Sequence, residues 1–256
     1  MRLTVLGCSG SVPGPESPAS GYLLTTDGAP PVVLDLGAGT LGALQRHVDP
    51  TEVTVLLSHL HPDHCLDMTG LVVWRRHHPD APAGRTRVHA PSGAAGRLGA
   101  ASAERAGAVD DVTDVLDLRT WDVGATEELG ALRVTVAPVA HPCEAYGMRL
   151  IDATGTTLVY TGDTGPCEAV TELARDATVL LAEASWTDAA DRPEGMHLSG
   201  TQAGVLARHA RVGRLLLTHV PPWTSVEAVV AEARAQFDGD VHAVRAGEQI
   251  ELGARQ

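Results

Sequence analysis

The sequence predicts one α/β domain built from mixed layers of sheet and helix. Short Val- and Leu-rich runs alternate with helical stretches from one end of the chain to the other, and neither a linker nor an internal repeat breaks the alternation. The length agrees: 256 residues with 44% hydrophobic and 20% charged content support a large core and exclude a chain too polar to fold. We therefore expect residues 1–256 to form a single unit. In order, Arg2–Leu6, Tyr22–Thr25, Val32–Leu36 and Val53–Leu57 read as strands, because each is apolar and bounded by Gly, Pro or Asp. Helical patterns cover Gly39–His47 and Asp63–His77. Strands return at Arg133–Val139, Thr157–Tyr160, Thr178–Ala182 and Leu215–Leu217, with helices near Glu168–Ala174, Thr201–Ala210 and Val226–Gln236. Pro79–Gly130 is rich in Pro, Gly and Ala and reads as the least structured part, although Arg87–Ala90 and Val112–Leu118 look strand-like.

Charge and composition remove several functions. The formal charge is −13, there is no lysine, and every cation is an arginine. A protein that grips a polyanion takes most of its affinity from phosphate neutralisation, so extended nucleic acid is a poor partner for this chain. A small anionic substrate remains compatible. No window approaches 18 uninterrupted apolar residues, so no membrane span is expected. Cys8, Cys65, Cys143 and Cys167 form no CxxC pair, and no secretory leader is visible, which together predict a reducing, cytoplasmic setting.

One segment carries the chemistry: Ser58-His59-Leu60-His61-Pro62-Asp63-His64, placed where the strand Val53–Leu57 gives way to a helix. Three imidazoles and a carboxylate this close cannot share a core without partners, since each unpaired polar group costs several kcal/mol. Neutral imidazole and carboxylate are the natural ligands of Zn²⁺ and similar borderline metals. His59 and His61 can reach one ion, and Asp63 and His64, one step along the turn, a second. A solvated loop that happens to hold several histidines is the bland alternative.

His-Leu-His-Pro-Asp-His resembles the HxHxDH motif of the metallo-β-lactamase superfamily. Asp35 in VVLDLG, His141 in VAHP, Asp163 in YTGDTG and His219 in LLLTHVPP match its later motifs in order, each after a predicted strand. Alone, any of these would read as a surface histidine or a turn carboxylate. Their order is what gives them weight. The resemblance spans Leu3 to about Val220 and implies an αββα sandwich. It also implies that His59, His61 and His141 hold one metal, that Asp63, His64 and His219 hold the other, and that Asp163 bridges them. Asp35 would orient the motif loop from behind. The implied cofactor is a pair of divalent ions, Zn²⁺ first, with Mn²⁺ and Fe²⁺ compatible. His47, His77, His78, His89, His209 and His242 match nothing and are expected at the surface.

A second pair narrows the branch. Ala182-Glu183-Ala184-Ser185-Trp186 and Met196-His197-Leu198-Ser199 resemble the paired motifs of the tRNase Z-like phosphodiesterases, in which a glutamate orients a histidine that protonates the leaving alkoxide. A ribose oxygen leaves poorly near neutral pH, so a general acid has a clear use. The resemblance implies attack by metal-bound hydroxide, with Asp63 able to take a proton and His197 acting as general acid. A surface His197 beside a helix-capping Ser199 is the bland reading.

The chain departs from true tRNase Z in three ways. Only 22 positions separate His141 from Asp163, too few for that family's long tRNA-holding arm. The loop Val12–Ser20 offers Glu16 and no cation, and the net charge is −13. Relatives lacking the arm include cyclic-nucleotide and cyclic-phosphate phosphodiesterases, and the chain most resembles the atypical class II cyclic AMP phosphodiesterases of actinobacteria. The expected substrate is accordingly a small phosphodiester such as 3′,5′-cyclic AMP, and relatives of this kind are often homodimers. A tRNA 3′-processing endonuclease, a hydrolase of lactones, thioesters or sulfate esters, and a non-catalytic metal-bound sensor remain as alternatives. Trp186 and Trp223 lie near the motifs and could stack a base, and Ser199 could touch substrate. Trp packing under a loop is the competing reading. Cys65 and Cys143 flank ligand motifs, but Asp163 already fills the place where a cysteine ligand would stand.

Overall fold

The computed structural model describes residues 1–253. It contains β1 (Arg2–Gly7), β2 (Gly21–Thr25), β3 (Val32–Leu36), β4 (Thr54–Leu56), β5 (Thr86–Ala90), β6 (Leu116–Thr120) and β7 (Glu127–Leu129). Then come β8 (Leu132–Pro138), β9 (Tyr146–Ile151), β10 (Thr157–Tyr160), β11 (Val179–Glu183), β12 (Arg214–Thr218), β13 (Asp240–Ala243) and β14 (Gln249–Glu251). The helices are α1 (Thr40–Leu44), α2 (Pro62–Cys65), α3 (Met68–His77), α4 (Ala94–Ser102), α5 (Glu168–Ala174), α6 (Gly200–Ala210) and α7 (Val226–Arg234).

The strands form two seven-stranded sheets, in the orders β14-β1-β2-β3-β4-β5-β6 and β13-β12-β11-β10-β9-β8-β7. Strands buried on both faces explain the continuous apolar runs, since side chains two apart face the same way. Along β3, Val32 and Leu34 enter the core between the sheets while Val33 meets the outer helices; the left-handed backbone at Asp35 (φ 58°) then breaks the alternation, so Leu36 also meets the outer helices. Along β11, Val179 and Leu181 face the other sheet while Leu180 and Ala182 face α5 and α6. Helices α1 to α4 cover the first sheet, α5 to α7 the second, and the four-layer αββα sandwich expected from the motifs results. In each sheet the parallel run, β3-β4-β5-β6 and β10-β11-β12-β13, carries its C-terminal ends to one edge of the sandwich.

Several local expectations are corrected. Asp63–His77 is two helices, α2 and α3, separated at Leu66–Asp67; Asp67 accepts a hydrogen bond from Leu41 N at 2.8 Å and ties the junction to α1. Gly39–His47 is helical only over α1 before it loosens into turns. Val112–Leu118 is a 3₁₀ turn over Val112–Asp114 followed by β6, because the Asp111 carboxylate caps the turn through Thr113 N. Pro79–Gly130 is far from structureless, and holds β5, α4, β6 and β7. Strand β9 escapes sequence reading because Gly147 and Arg149 interrupt its pattern. Arg149 reaches out to donate to Leu173 O at 2.8 Å and Arg175 O at 3.0 Å, satisfying carbonyls at the end of α5. Strands β13 and β14 were likewise hidden, being short and half polar. His89 is not at the surface: it is 1% exposed on β5 and packs against Trp121, ring centroids 5.1 Å apart.

Leu216 is fully buried between the sheets. Leu216→Ala should lower unfolding free energy by about 2–5 kcal/mol in denaturant titration. A loss below about 1 kcal/mol would mean that the intersheet layer repacks freely at this point.

Candidate metal centre

The site is assembled from strand ends. Asp35 closes the run of β3, Ser58 and His59 follow β4, Asp163 follows β10, Glu183 ends β11, and His219 follows β12. His141 lies between β8 and β9, and His197 precedes α6. His61 is the last extended residue before α2, and Pro62 at the first helical position starts the turn that carries Asp63 and His64. Open α/β sheets present ligand sites at such carboxyl ends, where loops from distant segments meet.

Two donor sets that share Asp163 result, and a third group, Glu183, His197 and His219, adjoins them. His59, His61, His141 and Asp163 form one, and Asp63, His64, Asp163 and His219 the other, with the donor atoms of each set within 4.8 Å of one another. His141 Nε2 stands 3.2 Å from His61 Nδ1, and His59 Nε2 stands 3.7 Å from Asp163 Oδ2. On the second side His64 Nε2 is 3.2 Å from His219 Nε2 and 3.2 Å from Asp163 Oδ1. His219 Nε2 is 3.2 Å from Asp63 Oδ2. Asp163 thus presents one oxygen to each set and is shared between them. The two sets differ in access, since His61 and His141 are half-buried while His64 and His219 are buried.

The residues fit a pair of cations. His59 Nε2 and Asp163 Oδ1 are buried without a hydrogen-bond partner, although an orphaned buried polar atom is costly. The ring tautomers are fixed from outside. The Ser58 hydroxyl donates to Asp35 Oδ2 at 2.7 Å, so it accepts from His59 Nδ1 at 3.0 Å. His64 Nδ1 donates to Asp35 Oδ2 at 2.8 Å, and His141 Nδ1 to Met196 O at 3.0 Å. Ser185 donates to Glu183 Oε2 at 2.8 Å and accepts from His219 Nδ1 at 3.0 Å. Four Nε2 lone pairs are therefore aimed inward. Only His61 points its Nδ1 into the site, and its Nε2 faces Cys143 Sγ at 3.7 Å.

Electrostatics agree. Burial holds His59 and His141 below the ordinary imidazole value, which keeps them neutral and able to donate a lone pair. Burial opposes ionisation of Asp63, but hydrogen bonds and charge from His219 and His64 overcome it and hold the carboxyl low. The same balance, with His219 and His64 as the opposing charges, keeps Asp163 ionised. Burial also works against charge on His64, yet Asp163 and Asp35 lift it well above the usual range. The field that draws a proton there is one a divalent cation would neutralise.

The backbone is strained where it matters. Asp35 (φ 58°) and His219 (φ 56°) adopt left-handed conformations that non-glycine residues rarely take. Gly37 lets the chain pass the motif loop, since a Cβ there would lie 1.9 Å from Asp63 O.

Glu183 and His197 meet as the sequence predicts, with His197 Nδ1 2.9 Å from Glu183 Oε1. Glu183 is buried and also accepts from Thr164 N at 2.8 Å. His197 is raised to about 9, because the Glu183 charge and hydrogen bond outweigh burial, which acts first in the other direction. Of the three expected substrate contacts, Trp186 packs edge-on against His197, centroids 5.2 Å apart. Trp223 stands 70% exposed on the loop after His219. Ser199 is buried at the N-cap of α6, accepting from Gln202 N and donating to Asp188, so its hydroxyl is committed to capping rather than free for substrate. Cys65 is buried and belongs to neither donor set. Sequence reading assigned no role to Ser58, Ser185, Tyr160 or the Met196 carbonyl. Ser58 and Ser185 lie inside the motifs, so their position was the available signal; nothing local marks Tyr160, whose hydroxyl donates to Asp35 at 2.7 Å.

A model of the beta-lactamase superfamily domain matches residues 32–220. The chain is 58% identical to an uncharacterized protein of Mycobacterium leprae over 99% of this chain and 89% of the relative. It is 28% identical to Ribonuclease Z of Haloferax volcanii, covering 98% and 95%. The crystal structure of the metallo-beta-lactamase fold protein YhfI from Bacillus subtilis superposes with a TM-score of 0.83 at 25% identity, covering 98% of this chain and 99% of that one.

Asp35→Asn removes the charge that orients His64 while keeping the size of the side chain. It should weaken metal affinity about 10–100-fold in chelator competition, with the second donor set losing its ion first. Wild-type protein stripped by a chelator should melt at a lower temperature and recover on adding a divalent cation. Unchanged metal content in Asp35→Asn would contradict the orienting role.

Proposed function

The chain belongs to the metallo-β-lactamase superfamily, and on that footing we propose that it is a phosphodiesterase cleaving a small phosphodiester such as 3′,5′-cyclic AMP. The fold and the donor sets support a metal-dependent hydrolase. The observation that carries the finer reading is the buried Glu183 holding His197 by Nδ1 beside the bridging carboxylate, with His197 3.9 Å from Asp163. His197 Nε2 makes no hydrogen bond among the described residues, so this nitrogen is free to give a proton to a leaving oxygen.

When bound, two divalent ions, Zn²⁺ in the first place, supply Lewis acidity at the phosphoryl oxygens and acidify a water. The chain's own residues do the rest. Asp163 and the inward Nε2 atoms fix the place of reaction, and the Asp63 carboxylate, half-buried beside them, would accept a hydrogen bond from the attacking water and take its proton only as the new P–O bond forms. Glu183 keeps His197 protonated and turned toward the leaving group, so an alkoxide departs as an alcohol.

The likeness to Ribonuclease Z favours a second reading, a tRNA 3′-end endonuclease. Against it, the interval between His141 and Asp163 is filled by β9 and β10 as a hairpin, and the chain carries −13 charge. Carboxyl or sulfate esters would leave the Glu183–His197 pair without a purpose.

The test is hydrolysis by metal-reconstituted protein of cyclic AMP, bis-p-nitrophenyl phosphate and a tRNA precursor. His61→Ala should abolish cleavage of the first two. His197→Ala should slow cyclic AMP hydrolysis about 10²–10⁴-fold, yet slow the nitrophenyl diester far less, because nitrophenolate departs without a proton. Equal losses on both would remove His197 as general acid, and preferential cutting of the tRNA precursor would favour the endonuclease.

A further inference from the structure

Residues 187–196 leave the strand-end layer and return to it. The excursion is pinned at its base: Trp186 pairs with Ser199, and Gly200 N donates to Trp186 O at 3.1 Å. Its first turn is tied down where Asp188 N donates to the Glu232 carboxylate at 2.9 Å. Between this loop, Pro166 and α6 lies a cavity of about 410 Å³, with His197 as one wall. Trp186 meets the His197 ring at 87°, and the Arg192 guanidinium stands 5.5 Å from the Trp186 ring centroid. Arg192 Nε donates to Thr187 O at 3.2 Å, which restrains the guanidinium plane.

Like several other arginines, Arg192 joins no ion pair among the described residues; its contacts are the Trp186 ring and the Thr187 carbonyl. A guanidinium beside an indole offers a face on which a planar ring stacks. The other polar walls are Asp188, Glu194 and Gln202. Two carboxylates repel a second phosphate and accept hydrogen bonds from ring amino groups, while the Gln202 amide keeps donors after its Oε1 accepts from Ser199 N. The cavity therefore suits a neutral, amino-bearing heterocycle and rejects a continuing phosphate chain.

We propose that this cavity holds the nucleobase of the substrate, on the side of the ester oxygen that His197 protonates, with Arg192 as a specificity-determining residue. The proposal rests on the phosphodiesterase reading and narrows it to mononucleotide diesters. Two measurements on metal-reconstituted protein test it. In the first, steady-state hydrolysis of cyclic AMP is compared with that of the base-free ribose 3′,5′-cyclic phosphate. Arg192→Ala should raise KM for cyclic AMP about tenfold with kcat within about twofold, and cut the preference for cyclic AMP over the base-free diester by the same factor. Arg192→Lys, which keeps the charge without the plane, should resemble the alanine variant. In the second, 5′-AMP should quench tryptophan fluorescence saturably. The quench should vanish in Trp186→Phe and shift to about tenfold higher ligand concentration in Arg192→Ala, while ribose 5-phosphate should produce none. An unaltered substrate preference, or 5′-AMP binding indifferent to Arg192, overturns the proposal even if cyclic AMP is cleaved. If no phosphodiester is cleaved, the enzymatic reading falls alone, and the fluorescence titration still decides whether the cavity takes a base.

Discussion

Much of the structure depends on one fully buried carboxylate. Asp35 accepts from Ser58 N, Ser58 Oγ, His64 Nδ1 and Tyr160 OH, each at 2.7–2.8 Å. A buried charge is stable only when its lone pairs are so occupied. Its four partners are drawn from the motif loop, α2 and a strand of the opposite sheet, so the carboxylate stitches the two halves of the sandwich behind the metal centre. The strained backbone at Asp35 is tolerable for the same reason, since four hydrogen bonds over-determine a conformation that the residue would otherwise avoid.

How much of this was legible follows from where each residue stands. The strands that deliver ligands are apolar on both faces, so β3, β4, β10, β11 and β12 announce themselves as runs ending in a polar motif. The donors were readable because their spacing is local within His59–His64 and their order is fixed elsewhere. What stayed hidden is set by long-range packing. Arg149 breaks the pattern of β9 only because its side chain serves the end of α5, and His89 looks polar until Trp121 is seen against it. Ser199 illustrates the limit of a motif, because its place beside His197 suggests substrate contact while local geometry spends its hydroxyl on a helix end. Arg192 carries no signal at all in sequence; its meaning arises from the indole it stands beside and the cavity they share.

The centre is asymmetric in a way the ligand types do not reveal. One donor set is the more deeply buried, with His64 and His219 held by Asp35 and Ser185 from behind. The other is half open, and its His61 alone leans on a thiol instead of an oxygen. Rigidity on one side and access on the other suit a reaction in which one ion organises the site while the substrate enters past its neighbour.

The pairing of β1 with β14 reaches further than packing. Arg2 and Glu251 sit opposite each other although they lie 249 positions apart. Until that partner emerges from the ribosome, β1 presents one side with unpaired main-chain groups, the kind of sheet edge that recruits stray strands. The first six strands can be made and stacked, yet their outer border stays open through nearly the whole of translation. A chain stalled or clipped before residue 249 would thus keep most of its ligands and lose its protection against self-association.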